Sequence, residues 1–168
     1  MNKFNLLEEQ FIRFRQNPGD SCTIQDDIIY SMTIDKNGNL WIGNSSGFFS
    51  KYNLEDGIFT HYRIPEAISE HSAYYNVLVI FEDSRGGIWL GTQNAGLVRF
   101  DPDSGKFYIY RHNPSDSKSL CGDDIKSIAE DKEGRLWIGT GTQGLCKFKM
   151  DESTFEKVRC GNREQGVL

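Results

Sequence analysis

Trp41, Trp89 and Trp137 stand 48 residues apart, twice over. The same step links Phe4, Tyr52, Phe100 and Phe148, and again Phe11, Phe59, Phe107 and Phe155. Asp35, Asp83 and Asp131 keep it, as do Gly38, Gly86 and Gly134, and Gly43, Gly91 and Gly139. An ungapped period of this size marks a repeat architecture, in which no unit buries its apolar surface alone and neighbours must stack. With 168 residues, the chain holds three and a half such units and little else.

Each unit divides into four short strands, here called a to d. In the third unit they are Ile125–Glu130, Arg135–Thr140, Gly144–Phe148 and Thr154–Val158. The second gives Val77–Glu82, Gly87–Thr92, Gly96–Phe100 and Lys106–Tyr110. The first gives Ile29–Ile34, Asn39–Asn44, Phe48–Tyr52 and Ile58–Tyr62, with Gly47 one place earlier than Gly96 predicts. Gly134 can take positive φ in the tight a–b turn, and Asp101-Pro-Asp-Ser-Gly105 carries Pro and Gly where the chain must reverse. No stretch has convincing helical periodicity, although Pro65–His71 has room for one turn.

Four antiparallel strands per unit of this length predict an all-β fold, a partial β-propeller. It should contain three full four-stranded blades (29–62, 77–110 and 125–158) and an N-terminal half blade (1–14). Residues 159–168 would lead toward a missing blade, and 1–168 would be one propeller fragment. Met1–Phe4 aligns with strand c and Phe11–Phe14 with strand d, so the half blade brings only its outer strands. Single-chain propellers close with roughly 4–8 blades, so the expectation is a piece of a longer ring. Stacked blades bury both faces, which explains consecutive large apolar residues in Leu136-Trp137-Ile138. All three tryptophans are therefore expected in inter-blade cores, not on a sugar-stacking platform.

Charge and composition narrow the function. The net charge of −5 argues against a broad nucleic-acid surface. Apolar runs such as Val77–Phe81 are too short to span a bilayer, so no membrane contact is expected. The N-terminal segment has two early glutamates and no apolar core, unlike a secretory signal. Cys22, Cys121, Cys146 and Cys160 are widely spaced, without a C-x-x-C pair. They suggest neither a disulfide framework nor zinc; free thiols are the simplest expectation, with no metal or cofactor.

The repeat consensus is I-x-x-I-x-x-D-x-x-G-x-L-W-I-G-T-x-x-x-G-L-x-x-F-D-x-x-S-G-x-F. It resembles the two-component regulator propeller repeat, best over Asp131–Thr140 and Gly96–Phe107. The resemblance implies a sensor module like those in the periplasmic half of bacterial hybrid two-component histidine kinases. Many of these detect carbohydrate breakdown products. It thus implies a non-catalytic ligand-binding role in signal transduction, a periplasmic location and an oligosaccharide as ligand. This chain has no recognisable kinase or DNA-binding part.

Other motifs weigh less. Gly139-Thr-Gly-Thr-Gln-Gly144 spells G-x-G-x-x-G, but a strand follows it where a dinucleotide site needs a helix. Asp35-Lys-Asn-Gly-Asn39 lacks the spacing and distant Glu of a calcium loop, so its aspartate should cap the turn's amides. His61, His71 and His112 occupy unrelated repeat positions. The d–a connections and b–c turns share one rim, where propellers commonly bind ligands. Asp27, Tyr75 and Asp123 are repeat-equivalent there, just before the inner strand, and Asp26, Tyr74 and Asp124 flank them. With Asn76, Gln93, Asn94, Thr142 and Gln143 they form a rim able to hydrogen-bond a sugar. Two alternatives stand beside the sensor reading. One is a structural or protein-interaction fragment without small ligand. The other is a propeller-type glycosidase or lyase, for which Asp27 and Asp123 would be the carboxylates to test. An open arc also exposes a blade face and strand edges, so self-association into a homo-oligomer or pairing with further blades is expected.

Overall fold

The computed structural model describes residues 1–65 and 75–158. Among them are fourteen strands and no helix. Strands β1 (Asn2–Asn5) and β2 (Gln10–Arg13) form a two-stranded sheet. Three four-stranded antiparallel sheets follow. Blade 1 holds β3 (Ile29–Ile34), β4 (Leu40–Asn44), β5 (Phe48–Tyr52) and β6 (Phe59–Arg63). Blade 2 holds β7 (Val77–Glu82), β8 (Ile88–Thr92), β9 (Leu97–Asp101) and β10 (Lys106–Tyr110). Blade 3 holds β11 (Ile125–Glu130), β12 (Leu136–Thr140), β13 (Leu145–Lys149) and β14 (Thr154–Lys157). This is the expected all-β partial propeller, and the sheets do not close into a ring among the described residues. Several strands start or stop one residue from their sequence-based limits. The possible turn at Pro65–His71, Tyr74 and the 159–168 tail lie wholly or mostly outside the described residues.

Repetition extends to backbone detail. Each inner strand carries a bulge at the same place, between Ile29 and Ser31, Val77 and Val79, and Ile125 and Ser127. The c–d turns take positive φ at Glu9, Gly57, Gly105 and Ser153, all one repeat apart. Blade geometry thus demands a left-handed residue at that position even where the sequence supplies no glycine.

The cores lie between the sheets. Trp41, Phe49 and Ile64 of blade 1 pack with Val77, Ile80, Ile88, Leu90, Val98 and Phe100 of blade 2. Trp89 and Leu97 of blade 2 pack with Ile125, Ile128, Leu136, Ile138, Cys146 and Phe148 of blade 3. A third cluster joins Met1 and Phe14 of the half blade to Ile24, Ile42 and Phe59. Trp41 and Trp89 therefore each belong to the interface with the following blade. Trp41 and Trp89 are 1% and 0% exposed, as expected of inter-blade core. Trp137 is only half-buried, because no described sheet packs on its outer face, and this corrects the expectation for the third indole.

The glycine before the b–c turn is set by close approach. A Cβ on Gly43 would come within 2.7 Å of the Val77 carbonyl in blade 2. One on Gly91 would lie 2.6 Å from Ile125 Cγ2 in blade 3. Ser31 Oγ donates to the same Val77 carbonyl at 3.1 Å. Any larger residue would wedge the blades apart.

Cys121 and Cys146 form a disulfide, with Cα atoms 6.1 Å apart. It ties the connection before β11 to strand β13 inside blade 3. This corrects the expectation of free thiols. Neither position keeps a cysteine in the other repeats (Ser50 and Val98 stand where Cys146 does), so the period gives no sign of the pairing. Cys22 is free and exposed, and Cys160 lies outside the described residues.

Candidate functional site

Two rims frame the arc. On one, the d–a connections meet the b–c turns; on the other, the a–b turns meet the c–d turns.

The d–a rim is built by a repeated staple. Asp27 Oδ1 accepts the backbone N–H of Gln16 at 2.9 Å, and Asp123 Oδ1 accepts that of His112 at 2.7 Å. Asp123 also pairs with Arg111 at 3.2 Å. In blade 2 the equivalent is Tyr75, whose hydroxyl donates to the Ile64 carbonyl at 3.2 Å. Thus the three repeat-equivalent rim residues all pin the loop that enters the inner strand. Tyr75 is 4% exposed and its ring lies against Gly47, so it presents no face to the rim surface. Neighbouring blades are stitched here as well: Gly47 N–H donates to the Tyr75 carbonyl at 2.7 Å, and Gly96 N–H to the Asp123 carbonyl at 2.9 Å.

Exposed polar groups ride on this scaffold. Asn76 Nδ2 donates to Gln93 Oε1 at 2.7 Å, which aligns two of the candidate side chains. Asn94 is exposed and held at positive φ. Gln143 is exposed on the next b–c turn, against Gly122. The turns are fixed by the threonine of the repeat: Thr92 Oγ1 donates to the Gly96 carbonyl at 2.7 Å and Thr140 Oγ1 to that of Gly144 at 2.9 Å. Gly139–Gly144 is therefore a b–c turn between β12 and β13, with no helix to face a pyrophosphate. Asp27 also lines a hollow of about 350 Å³ with Met1, Asn2 and Arg13 at the half blade.

The a–b rim carries the most regular chemistry. In every blade the aspartate after strand a accepts the N–H groups two and four residues on through Oδ1. Through Oδ2 it accepts the indole N–H six residues on. The Oδ2–Nε1 distances are 2.9 Å for Asp35–Trp41, 2.7 Å for Asp83–Trp89 and 2.7 Å for Asp131–Trp137. The expected turn cap is present, with an indole bond that sequence reasoning missed; the fixed Asp-x5-Trp spacing was its signal. Burial pushes the Asp35 carboxyl up, but hydrogen bonds from Asn39, Trp41 and Asn37 outweigh it and hold the pKa below the ordinary value. The same balance lowers Asp131 strongly, through Trp137, Arg135 and Glu133. No group of carboxylates, histidines and cysteines able to hold a metal occurs among the described residues.

A cleft of about 370 Å³ opens on this rim between blades 1 and 2. Lys36, Lys51, Arg85 and Arg99 face Asp35, Glu82, Asp101 and Asp103 across it. Much of this charge is internally paired, as in Lys36–Glu82 at 4.0 Å and Arg99–Asp83 at 3.8 Å. Glu82 also accepts the Lys36 N–H at 2.7 Å, and Glu130 accepts the Ser84 N–H at 2.8 Å, so this rim is clamped blade to blade too. The sequence reading did not single out this cleft, because its walls come from two repeats.

Among the described residues, Ser50 and His61 make a nucleophile–base contact. Ser50 Oγ lies 2.9 Å from His61 Nδ1, while His61 Nε2 meets the Ser21 carbonyl at 3.1 Å. The carbonyl can only accept, so Nε2 carries a proton; in the neutral ring Nδ1 then accepts from the serine. Ser50 is 1% exposed, which shields its hydroxyl from substrate.

Comparison with known proteins agrees with this geometry. The two component regulator propeller family matches residues 23–46, 72–94 and 119–142, each running from a d–a connection through strands a and b. These three stretches match the two component regulator propeller repeat. Among solved structures, it is similar to an extracellular domain described as part of a hybrid two component system of B. thetaiotaomicron. Identity is 24% over 81% of this chain and 19% of that one, with a TM-score of 0.66. A second such domain from the same organism gives 22% identity over 99% of this chain and 21% of that one, at a TM-score of 0.74. PorZ, a surface component of the type-IX secretion system of Porphyromonas gingivalis, gives 22% over 86% and 20%, at 0.61. At these identities the likeness establishes the fold. The chain spans about a fifth of the length of these structures. No curated protein matches it.

Proposed function

We propose that this arc is a non-catalytic sensor-type module that binds a ligand on its d–a rim, in the manner of an extracytoplasmic sensing domain. The observation that carries the reading is the regulator propeller repeat itself, matched in all three blades. The ligand class is oligosaccharide. Gln93, Asn94, Asn76 and Gln143 supply donors and acceptors on turns already rigidified by Thr92 and Thr140, so little order is lost on binding. Asp27 is exposed beside the loop staple, whereas Asp123 uses Oδ1 for the staple and Oδ2 for Arg111 at 3.2 Å. Tyr75 contributes by holding the loop.

An extracytoplasmic location is supported by the Cys121–Cys146 disulfide, since such bonds persist in oxidising compartments. The similar solved domains are likewise described as extracellular. A glycosidase role finds little support, because Asp27 and Asp123 belong to connections two blades apart and Ser50 is buried.

The test is a thermal-shift screen of oligosaccharides, followed by sugar-release assays on each hit. A saturable shift without turnover, weakened by Gln93→Ala, supports the reading. Turnover of any hit, or a shift that Gln93→Ala and Gln143→Ala leave unchanged, overturns it.

A further inference from the structure

On the a–b rim, blade 3 pairs its charges with one another and blade 2 does not. In blade 3, Arg135 bonds Asp131 and Glu133, both at 2.7 Å, while Lys147 and Lys149 reach Glu156 at 3.3 and 3.8 Å. One repeat earlier, Gly87 stands for Arg135, Arg85 for Glu133, Asp101 for Lys149 and Tyr108 for Glu156. Gly87 brings no side chain to the place that Arg135 fills, and Arg85 replaces the acid that would pair with it. Arg99, the counterpart of Lys147, turns to Asp83 at 3.8 Å and to the Tyr108 ring at 5.6 Å. Blade 2 therefore borders the open cleft of about 370 Å³ where blade 3 has a network of ion pairs.

Most polar groups around this cleft are already committed. Asp35 uses both carboxylate oxygens on Asn37, Asn39 and Trp41. Asp101 spends both on the Asp103 N–H and on Ser104. Lys36 and Glu82 hold each other across the blades. Three side chains remain. Among the described residues, Lys51 of blade 1 and Arg85 and Asp103 of blade 2 have no ionic or hydrogen-bonded partner. The uncommitted groups thus carry both signs. The lining as a whole has four basic and four acidic side chains, so a ligand of one sign meets repulsion as well as attraction. A molecule bearing both charges finds a partner for each.

We propose that the cleft between blades 1 and 2 binds a small zwitterion, a free amino acid. The planar donor fork of Arg85 takes its carboxylate, with the Lys51 ammonium from the facing blade as second partner. Asp103 takes its ammonium. The volume lies near the lower end of ligand pockets, which run from roughly 300 to 1,000 Å³, and so suits a molecule of this size. Its walls come from turns that Asp35, Asp83 and Asp101 already hold rigid, so little order is lost on binding. The site lies on the rim opposite the proposed oligosaccharide surface and does not depend on it.

The experiment is calorimetric titration of the full chain with each of the twenty amino acids. At least one should bind saturably. Acetylating the amine of the tightest binder, or converting its carboxylate to an amide, should each weaken binding about tenfold or more. Arg85→Gln and Asp103→Asn alter exposed side chains without partners. Each should cost about tenfold in affinity and leave the melting temperature of the free chain unchanged. Gln93→Ala, on the opposite rim, should leave the affinity as it is. Failure of every amino acid to saturate below roughly 10 mM overturns the proposal. Undiminished binding of the acetylated form would reveal an anion site, and that of the amide a cation site; either outcome overturns it too. So does a loss of affinity in Gln93→Ala with none in Arg85→Gln and Asp103→Asn.

Discussion

A single aspartate organises each turn, and its value depends on where its blade stands. Asp83 is 3% exposed and joins a fully buried Trp89 to the turn amides, with Arg99 stacked over the indole at 6.0 Å. Asp131 and Trp137 repeat the arrangement, with Lys147 over the indole at 5.9 Å, at a face no described sheet covers. Trp89→Ala should therefore cost about 3–5 kcal/mol, and Trp137→Ala roughly half of that, measured by urea denaturation. Equal costs would mean that the two indoles share one environment. Acid should act on the same residues. Hydrogen bonds hold the folded Asp35 and Asp131 carboxyls below the ordinary aspartate value. Their stabilisation is complete above the unfolded value and lost as pH falls through the folded ones. The melting temperature should thus drop steeply below about pH 4, and Asp35→Asn should shallow that drop. A melting temperature independent of pH between about 4 and 2 would contradict this assignment.

At the level of elements, the three blades share strands, bulges and turns but not cross-links. Blade 3 has a disulfide where blade 1 has Gln25 and Ser50. It closes a loop with a sequence separation of 25, which should stabilise the folded blade by about 3 kcal/mol on the chain-entropy account. Cys146→Ser should lower the urea midpoint accordingly, and reductant should have no further effect on that variant. An undiminished midpoint would show that the neighbouring core already fixes the loop. The b–c turns differ as well. Blade 1 replaces the stapling threonine with Asn44, whose amide reaches the Ile28 carbonyl at 3.1 Å, and its turn is a residue shorter. That local change is why Gly47 falls out of phase with Gly96.

On the scale of the whole arc, stability is graded because each core belongs to two neighbours. Blade 2 is covered on both faces, whereas β2 is exposed at every position and β1 at all but its last. Native-state hydrogen exchange should find β8 and β9 best protected and β1 and β2 least, with blade 3 between them. Uniform protection would instead indicate one cooperative unit. The arc is also polar on both rims and apolar at its open ends, so the proposed ligand rim and the exposed apolar faces are separate surfaces.

Much of this was legible in the one-dimensional pattern. A period of 48 with Trp, Asp and Gly in fixed phase fixes strand count, turn sites and blade order, since every repeat must solve the same packing problem. The candidate rim was legible in part: phase put Asp27, Tyr75 and Asp123 at equivalent loop positions, but not which atoms their neighbours use. Tertiary structure alone decided that Tyr75 is buried, that Cys121 meets Cys146, that Ser50 meets His61 and that no described sheet covers Trp137. Those outcomes depend on what lies across the sheet or beyond the last blade. Repetition along the chain encodes what the units share, while contacts at unique positions and at the ends of the array arise only when the sheets are stacked in space.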